Sequence, residues 1–152
     1  MKRIYIFALL LTITMLGASA QLKDFFNRYD DTDGVTSVYI SKSLLRMMPD
    51  IDNDLIEIKG VAGKLDNLYI LTTKKKSMIE KLKSDATAAM RNKGYEELLR
   101  VNENKEKTLI YTKNGANGVN EYLILNHKSD EFNAILIVGR ITPADIRKII
   151  DD

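Results

Sequence analysis

The chain of 152 residues reads as an α+β domain. Its expected architecture is one mostly antiparallel sheet of about five to six strands with helices packed mainly on one face, ending in a four-strand meander and a closing helix. Three observations predict it. Two early β-branched and aromatic runs are separated by segments of helical periodicity. The last third is a chain of strand-like runs joined by polar turns. A helix-start signature, Thr142-Pro143-Ala144-Asp145, follows the last of those runs.

Leu22, Phe25, Phe26 and Tyr29 recur at i, i+3, i+4 and i+7, one face of a short amphipathic helix. Asp30 to Gly34 ends it as a turn. Val35 to Ile40 is β-branched and aromatic, hence a strand. Ser41 or Ser43 then caps a short helix carrying Leu44, Leu45, Met47 and Met48, stopped by Pro49. Residues 50 to 65, acidic and then glycine-punctuated, carry no clear period.

Leu65 to Thr72 is a second strand. A long helix follows, with Met78, Ile79, Leu82, Ala86, Ala89 and Met90 along one stripe and Ser77 with Glu80 as its capping box. It ends near Asn92-Lys93-Gly94, where the glycine suits the left-handed C′ position. Tyr95–Val101, Lys107–Lys113, Val119–Asn126 and Glu131–Val138 are the four strands of the meander. Asn114-Gly115 with Asn117-Gly118 marks one turn, and His127 to Asp130 another. In the closing helix Thr142 is the N-cap, Pro143 is N1, and Ile146, Ile149 and Ile150 form the apolar face.

The first residues read as an address. Met1-Lys2-Arg3 is a positive n-region, Ile4 to Leu16 an apolar h-region, and Ala18-Ser19-Ala20 a small-x-small cleavage site. That apolar run is shorter than the roughly 20 residues needed to span a bilayer. The expectation is a signal peptide over residues 1–20, cleaved after Ala20, and a single domain over residues 21–152. The protein is then periplasmic or secreted. There is no cysteine, which excludes lipid attachment after the cleavage point, disulfides and thiolate chemistry together. Cleavage also removes Lys2 and Arg3, leaving 21 basic residues against 21 acidic, so the formal charge falls from +2 to zero. A neutral chain does not suit nucleic acid or an anionic membrane as main partner, and no stable membrane anchor remains.

The segments GYEELLRV (residues 94 to 101) and NEYLILNHKSDEFNAILIVGRITPADI (residues 120 to 146) resemble the domain-of-unknown-function 4252 family, small exported proteins of Gram-negative bacteria. The likeness extends over the opening amphipathic helix, Gly34-Val35 leading into a strand, the long central helix, and the closing strand, Gly139 and helix. The resemblance implies an exported α+β domain with no agreed activity, and it transfers no catalytic residue.

Chemistry-bearing motifs fail on spacing. Asp50, Asp52, Asp54 and Glu57 alternate as Ca²⁺ ligands do, but Leu55 and Val61 stand where an EF-hand loop needs glycine and glutamate. Asp30, Asp31 and Asp33 suit a turn. His127, the only histidine, sits with Ser129 and Asp130 in a hairpin turn and makes no triad or zinc site. Lys74-Lys75-Lys76 opposes the dipole of the helix it precedes and invites an acidic neighbour. No catalytic, cofactor-binding or metal residue is assigned, and no cofactor is expected.

The reading that remains is a non-catalytic binding or regulatory module of the cell envelope with an envelope protein as partner. Its rival is a small-molecule binder or hydrolase with a pocket between helices and sheet. The sequence carries no signature of an oligomeric state. Tyr111, Tyr122, Ile124, Ile135 and Ile137 are the candidate partner surface, with core as the competing reading of the same residues.

Overall fold

In a computed structural model the structure describes residues 18–47, 52–53, 56–57 and 60–151. The elements in chain order are α1 (Ala18–Arg28), β1 (Val35–Ser41), α2 (Lys42–Met47), β2 (Asp52–Asn53) and β3 (Ile56–Glu57). A 3-10 turn (Ala62–Lys64), β4 (Leu65–Thr73), α3 (Lys76–Met90), β5 (Glu96–Glu103) and β6 (Glu106–Asn114) follow. The chain then makes a second 3-10 turn (Ala116–Gly118), β7 (Asn120–His127), β8 (Phe132–Gly139) and α4 (Pro143–Asp151).

Six strands form one antiparallel sheet in the order β1-β4-β8-β7-β6-β5. The expected four-strand meander is β5 to β8, and β8 closes the sheet by pairing with β4. β2 and β3 form a separate short ladder, and β3 lies against α4. The fold is thus the predicted α+β arrangement with its closing helix.

Period-two alternation splits β1, β4, β6, β7 and β8 between two cores. On one face Tyr69, Leu71, Leu123, Leu125, Phe132, Ala134, Leu136 and Val138 meet Leu22, Phe25, Phe26 and Tyr29 of α1 and Ile79, Leu82 and Ala86 of α3. These two long helices carry the apolar stripes read from the sequence. On the other face Ile70, Ile110, Tyr122, Ile124, Ile135 and Ile137 cluster with Leu45 of α2, with Val61 and Ala62, and with Ile141, Ile146 and Ile149. The side chain of Ile150 lies outside the described residues, as do Met48, Pro49, Asp50 and Asp54.

Polar contacts fix how the helices dock. The buried Tyr29 hydroxyl donates to Asp85 of α3, and Lys81 Nζ donates to both, at 2.9 Å to Tyr29 and 3.0 Å to Asp85. The Tyr29 bond, then Lys81, hold the Asp85 carboxyl below its ordinary range, while burial first pushes the Tyr29 phenol up. Ser41, of the two serines proposed, caps α2, its Oγ accepting the Leu44 N–H at 3.3 Å.

The Ser77–Glu80 capping box does not form. Helix α3 starts two residues earlier, with Lys75 at the N-cap and no side-chain cap. The turn leading into it is held instead by Thr73, whose Oγ1 donates to Gly34 O and accepts the Lys75 N–H. At the other end Asn92, with φ of 57°, takes the left-handed C′ position expected of Gly94, which is left-handed two residues later.

The closing helix is capped as read. Thr142 Oγ1 accepts the Asp145 N–H at 3.3 Å, and Asp145 Oδ2 accepts the Thr142 N–H at 2.9 Å. Asp145, almost fully buried, also takes Lys64 Nζ at 2.8 Å, tying α4 to the 3-10 turn before β4. Lys64 first, then the Thr142 N–H, hold the Asp145 carboxyl at about 2 against an ordinary 3.8. A depressed carboxyl stabilises the fold above its unfolded value, and that contribution is lost as pH falls through the folded one. Asp145→Asn should therefore cost about 2 kcal/mol at pH 7. Urea unfolding at pH 7 and pH 2 checks this, because the difference between wild type and variant should shrink toward zero at the lower pH.

Candidate binding surface

Of the five residues proposed from sequence, Tyr122, Ile124, Ile135 and Ile137 lie together on one sheet face and are buried. The structure thus decides for core over surface at those four positions, because α2, the first 3-10 turn and α4 contribute to the same cluster. Tyr111 falls on the opposite face, half-buried beside the α1–α3 core. The structure does not bring the five together as one surface.

The exposed apolar residues are elsewhere. β5 is an edge strand, and all eight of its residues are exposed. Leu98, Leu99 and Val101 are 45%, 42% and 40% exposed there. A β-bulge makes this possible. Glu97 pairs with Tyr111 and Leu99 with Ile110, leaving Leu98 as the extra residue. The bulge also returns Arg100 to the face of Glu97, and the two form a forked ion pair at 2.9 and 2.7 Å. That pair holds the Glu97 carboxyl below its ordinary range. Bulge and charges together shield the free backbone edge from indiscriminate pairing, while both leucines stay exposed.

Behind β5, Tyr95 donates its hydroxyl to Glu121, a buried carboxylate on β7. Burial first, then Glu121, push the Tyr95 phenol well above its ordinary value. Lys113 lies over the Tyr95 ring at 5.4 Å. These contacts pin the start of β5 to the sheet.

A second feature crosses the face that holds Tyr122. Thr36, Thr72, Asn133, Asn126 and Thr108 are successive cross-strand partners on β1, β4, β8, β7 and β6. They form a polar row beside the apolar row of Val38, Ile70, Ile135, Ile124 and Ile110. Asn126 Nδ2 donates to Glu106 at 2.6 Å and to Thr108 at 3.0 Å. Among the described residues, Thr72 Oγ1, Asn133 Oδ1 and Asn126 Oδ1 in this row are buried without a hydrogen-bond partner.

The remaining sequence motifs stay structural. His127 ends β7 opposite Phe132, and its Nε2 lies 3.8 Å from Glu80; the turn itself is closed by Lys128 N–H to Glu131 O at 2.8 Å. Asp30 accepts the Ser37 hydroxyl and Asp33 pairs with Lys75, so both serve the turn after α1. Asp52 and Glu57 are backbone partners in the short ladder. Among the described residues no group of three acidic or histidine side chains is placed to hold a metal, and no helix is long and apolar enough to cross a membrane.

A model of the family described as Domain of unknown function (DUF4252) matches residues 29–149. No curated protein and no solved structure matches the chain.

Proposed function

We propose that this chain, which belongs to the DUF4252 family, is an exported, non-catalytic binding module of the cell envelope that docks a protein partner at the β5 edge of its sheet. The observation that carries this reading is the exposure of Leu98, Leu99 and Val101 on one edge strand. Three large apolar side chains held in water on a rigid strand gain free energy when a partner covers them, about 25 cal/mol per Å² of apolar area removed. Export rests on the n-region, h-region and small-x-small pattern of residues 1–20.

The direct experiment is capture from envelope extracts with the wild-type domain and with a Leu98→Ser/Leu99→Ser variant as baits. Specific partners should fall at least tenfold with the variant, while its urea midpoint moves little, since substitutions at exposed positions cost about 0.5 kcal/mol or less. Equal recovery by both baits would reject the β5 site. Mass spectrometry of the protein in cells should find a chain beginning at Gln21; one beginning at Met1 would reject cleavage.

A further inference from the structure

We infer that the occupant of the β5 edge is a second copy of this chain, paired antiparallel about a two-fold axis through the Leu98 bulge. The inference rests on the docking reading of β5 above and adds the identity of the partner. Two observations carry it: the direction in which the backbone groups of β5 point, and the charges beside them. Asn104 and Lys105, between β5 and β6, both have positive φ, 48° and 68°. That is a two-residue hairpin turn, which closes by a hydrogen bond between its flanking residues, Glu103 and Glu106. The backbone groups of Glu103 therefore point into the sheet. Alternation turns those of Asn102 and Arg100 to the open side of β5, and those of Val101 and Leu99 toward β6. In a regular strand Leu98 would face outward next, and Glu97 inward. The bulge changes this, because Leu98 and Leu99 together oppose Ile110 and count as one step. Glu97 therefore faces outward as well.

In a two-fold antiparallel pair, an outward residue meets an outward residue of the other copy. An axis through Glu97 would set two glutamates opposite each other, and one through Arg100 two arginines. Like charges directly opposite are destabilising. An axis through the bulge sets Glu97 against Arg100 of the second copy, and does so twice. Asn102 then falls opposite Tyr95, Val101 opposite Glu96 and Glu103 opposite Gly94, so no like charges meet along β5. Within each copy the Glu97–Arg100 fork uses Nε and Nη2 of the guanidinium. The further donors on Nη1 are placed to serve Glu97 of the second copy. Pairing thus keeps the internal ion pairs and closes a ring of four alternating charges. The same axis brings together Leu98 and Leu99 of both copies, with Val101 beside them, and covers the apolar side chains that β5 exposes. Two six-stranded sheets become one continuous sheet. In an unbulged strand residues 97 and 100 would face opposite edges. A foreign strand fits only if it carries an acid and a base around a matching bulge, which the second copy supplies by symmetry.

Sedimentation equilibrium of the purified protein should show a monomer–dimer equilibrium. Glu97→Arg and Arg100→Glu should each weaken the dimer at least tenfold, because each places like charges opposite at both pairs. Mixed in equal amounts, the two variants should associate again as a heterodimer, since every pair across the axis is once more opposite in charge. Mixing does not rescue a misfolded chain, so recovery reads the interface itself. The chain has no cysteine, so a single introduced one is unique. Leu98→Cys, at the axis, should oxidise to a disulfide-linked dimer, whereas Glu103→Cys, at the end of β5, should not. This pair keeps the test usable if a charge variant fails to fold. A monomer at every concentration, no association on mixing, or equal cross-linking through both cysteines would each overturn the inference. Capture from envelope extracts separates its failure from that of the docking surface. A monomeric protein whose Leu98→Ser/Leu99→Ser bait still loses a partner docks a different protein at β5, and only this inference falls. If that bait loses nothing, both readings fall.

Discussion

Replacing Gly139 with alanine should destabilise the protein by about 3 kcal/mol, the upper end of the usual cost of overpacking a core. Gly139 ends β8 and is paired on both sides, with Leu65 of β4 and Asn120 of β7. A Cβ there would lie 2.4 Å from Lys64 O and 2.8 Å from Leu65 Cα. Both obstacles are backbone, so no side chain can rotate away. The same carbonyl accepts the Arg140 N–H at 2.9 Å, a bond that any shift would stretch. The requirement is for space and not for an unusual torsion, because Gly139 is not among the positive-φ glycines. Urea unfolding should show a lower midpoint with an unchanged m-value. A midpoint within error of wild type would mean that β4 and β8 can move apart, contrary to the close approach at Lys64.

Phe25→Ala should cost about 3–5 kcal/mol, as for other fully buried aromatics. Phe25 is fully buried in α1, with its ring edge-on to Phe26 at 5.1 Å and to Tyr29 at 5.6 Å. This variant also tests where the domain begins. The family match starts at residue 29, four residues after Phe25. Yet Leu22, Phe25 and Phe26 share one core with β4, β7 and β8. If α1 were a dispensable appendage, the substitution would leave the unfolding midpoint unchanged. A large loss places the Leu22–Tyr29 apolar face, which lies just downstream of the proposed cleavage point, inside the cooperative unit.

Much of this fold was legible because its signals are local. The i, i+3, i+4, i+7 spacing of Leu22, Phe25, Phe26 and Tyr29 fixes which side of α1 is apolar, and the structure buries that side. Alternation along β7 and β8 fixes that Tyr122 and Ile124 share one face and Leu123 and Leu125 the other. Thr142 and Asp145 form their capping box because both partners are three residues apart in one turn. The Ser77–Glu80 box failed for a reason local reading does not contain. Thr73, bound to Gly34 from 39 residues away, holds the chain so that the helix begins at Lys76.

The binding surface was the least legible feature. Period two tells that Tyr122, Ile124, Ile135 and Ile137 lie on one face, but not whether anything covers it. Coverage depends on α2, which ends at Met47, and on α4, which begins at Pro143, two helices from opposite ends of the chain. Leu98 and Leu99 gave no signal, because adjacent leucines in a strand normally point to opposite faces and at least one is buried. Only the bulge and the edge position leave both exposed.

By itself, then, the sequence determined the element types, the two-faced character of the strands, the closing cap, the family, and the pattern from which export is proposed. Those depend on residues within a turn or a strand of one another, where propensity and periodicity act directly. The tertiary structure alone decided that β8 lies between β4 and β7, that β5 is an edge strand, and that Thr36, Thr72, Asn133, Asn126 and Thr108 stand in one row. Register between strands far apart in the chain is set by which faces must bury together, and that is a property of the assembled sheet and of no single segment.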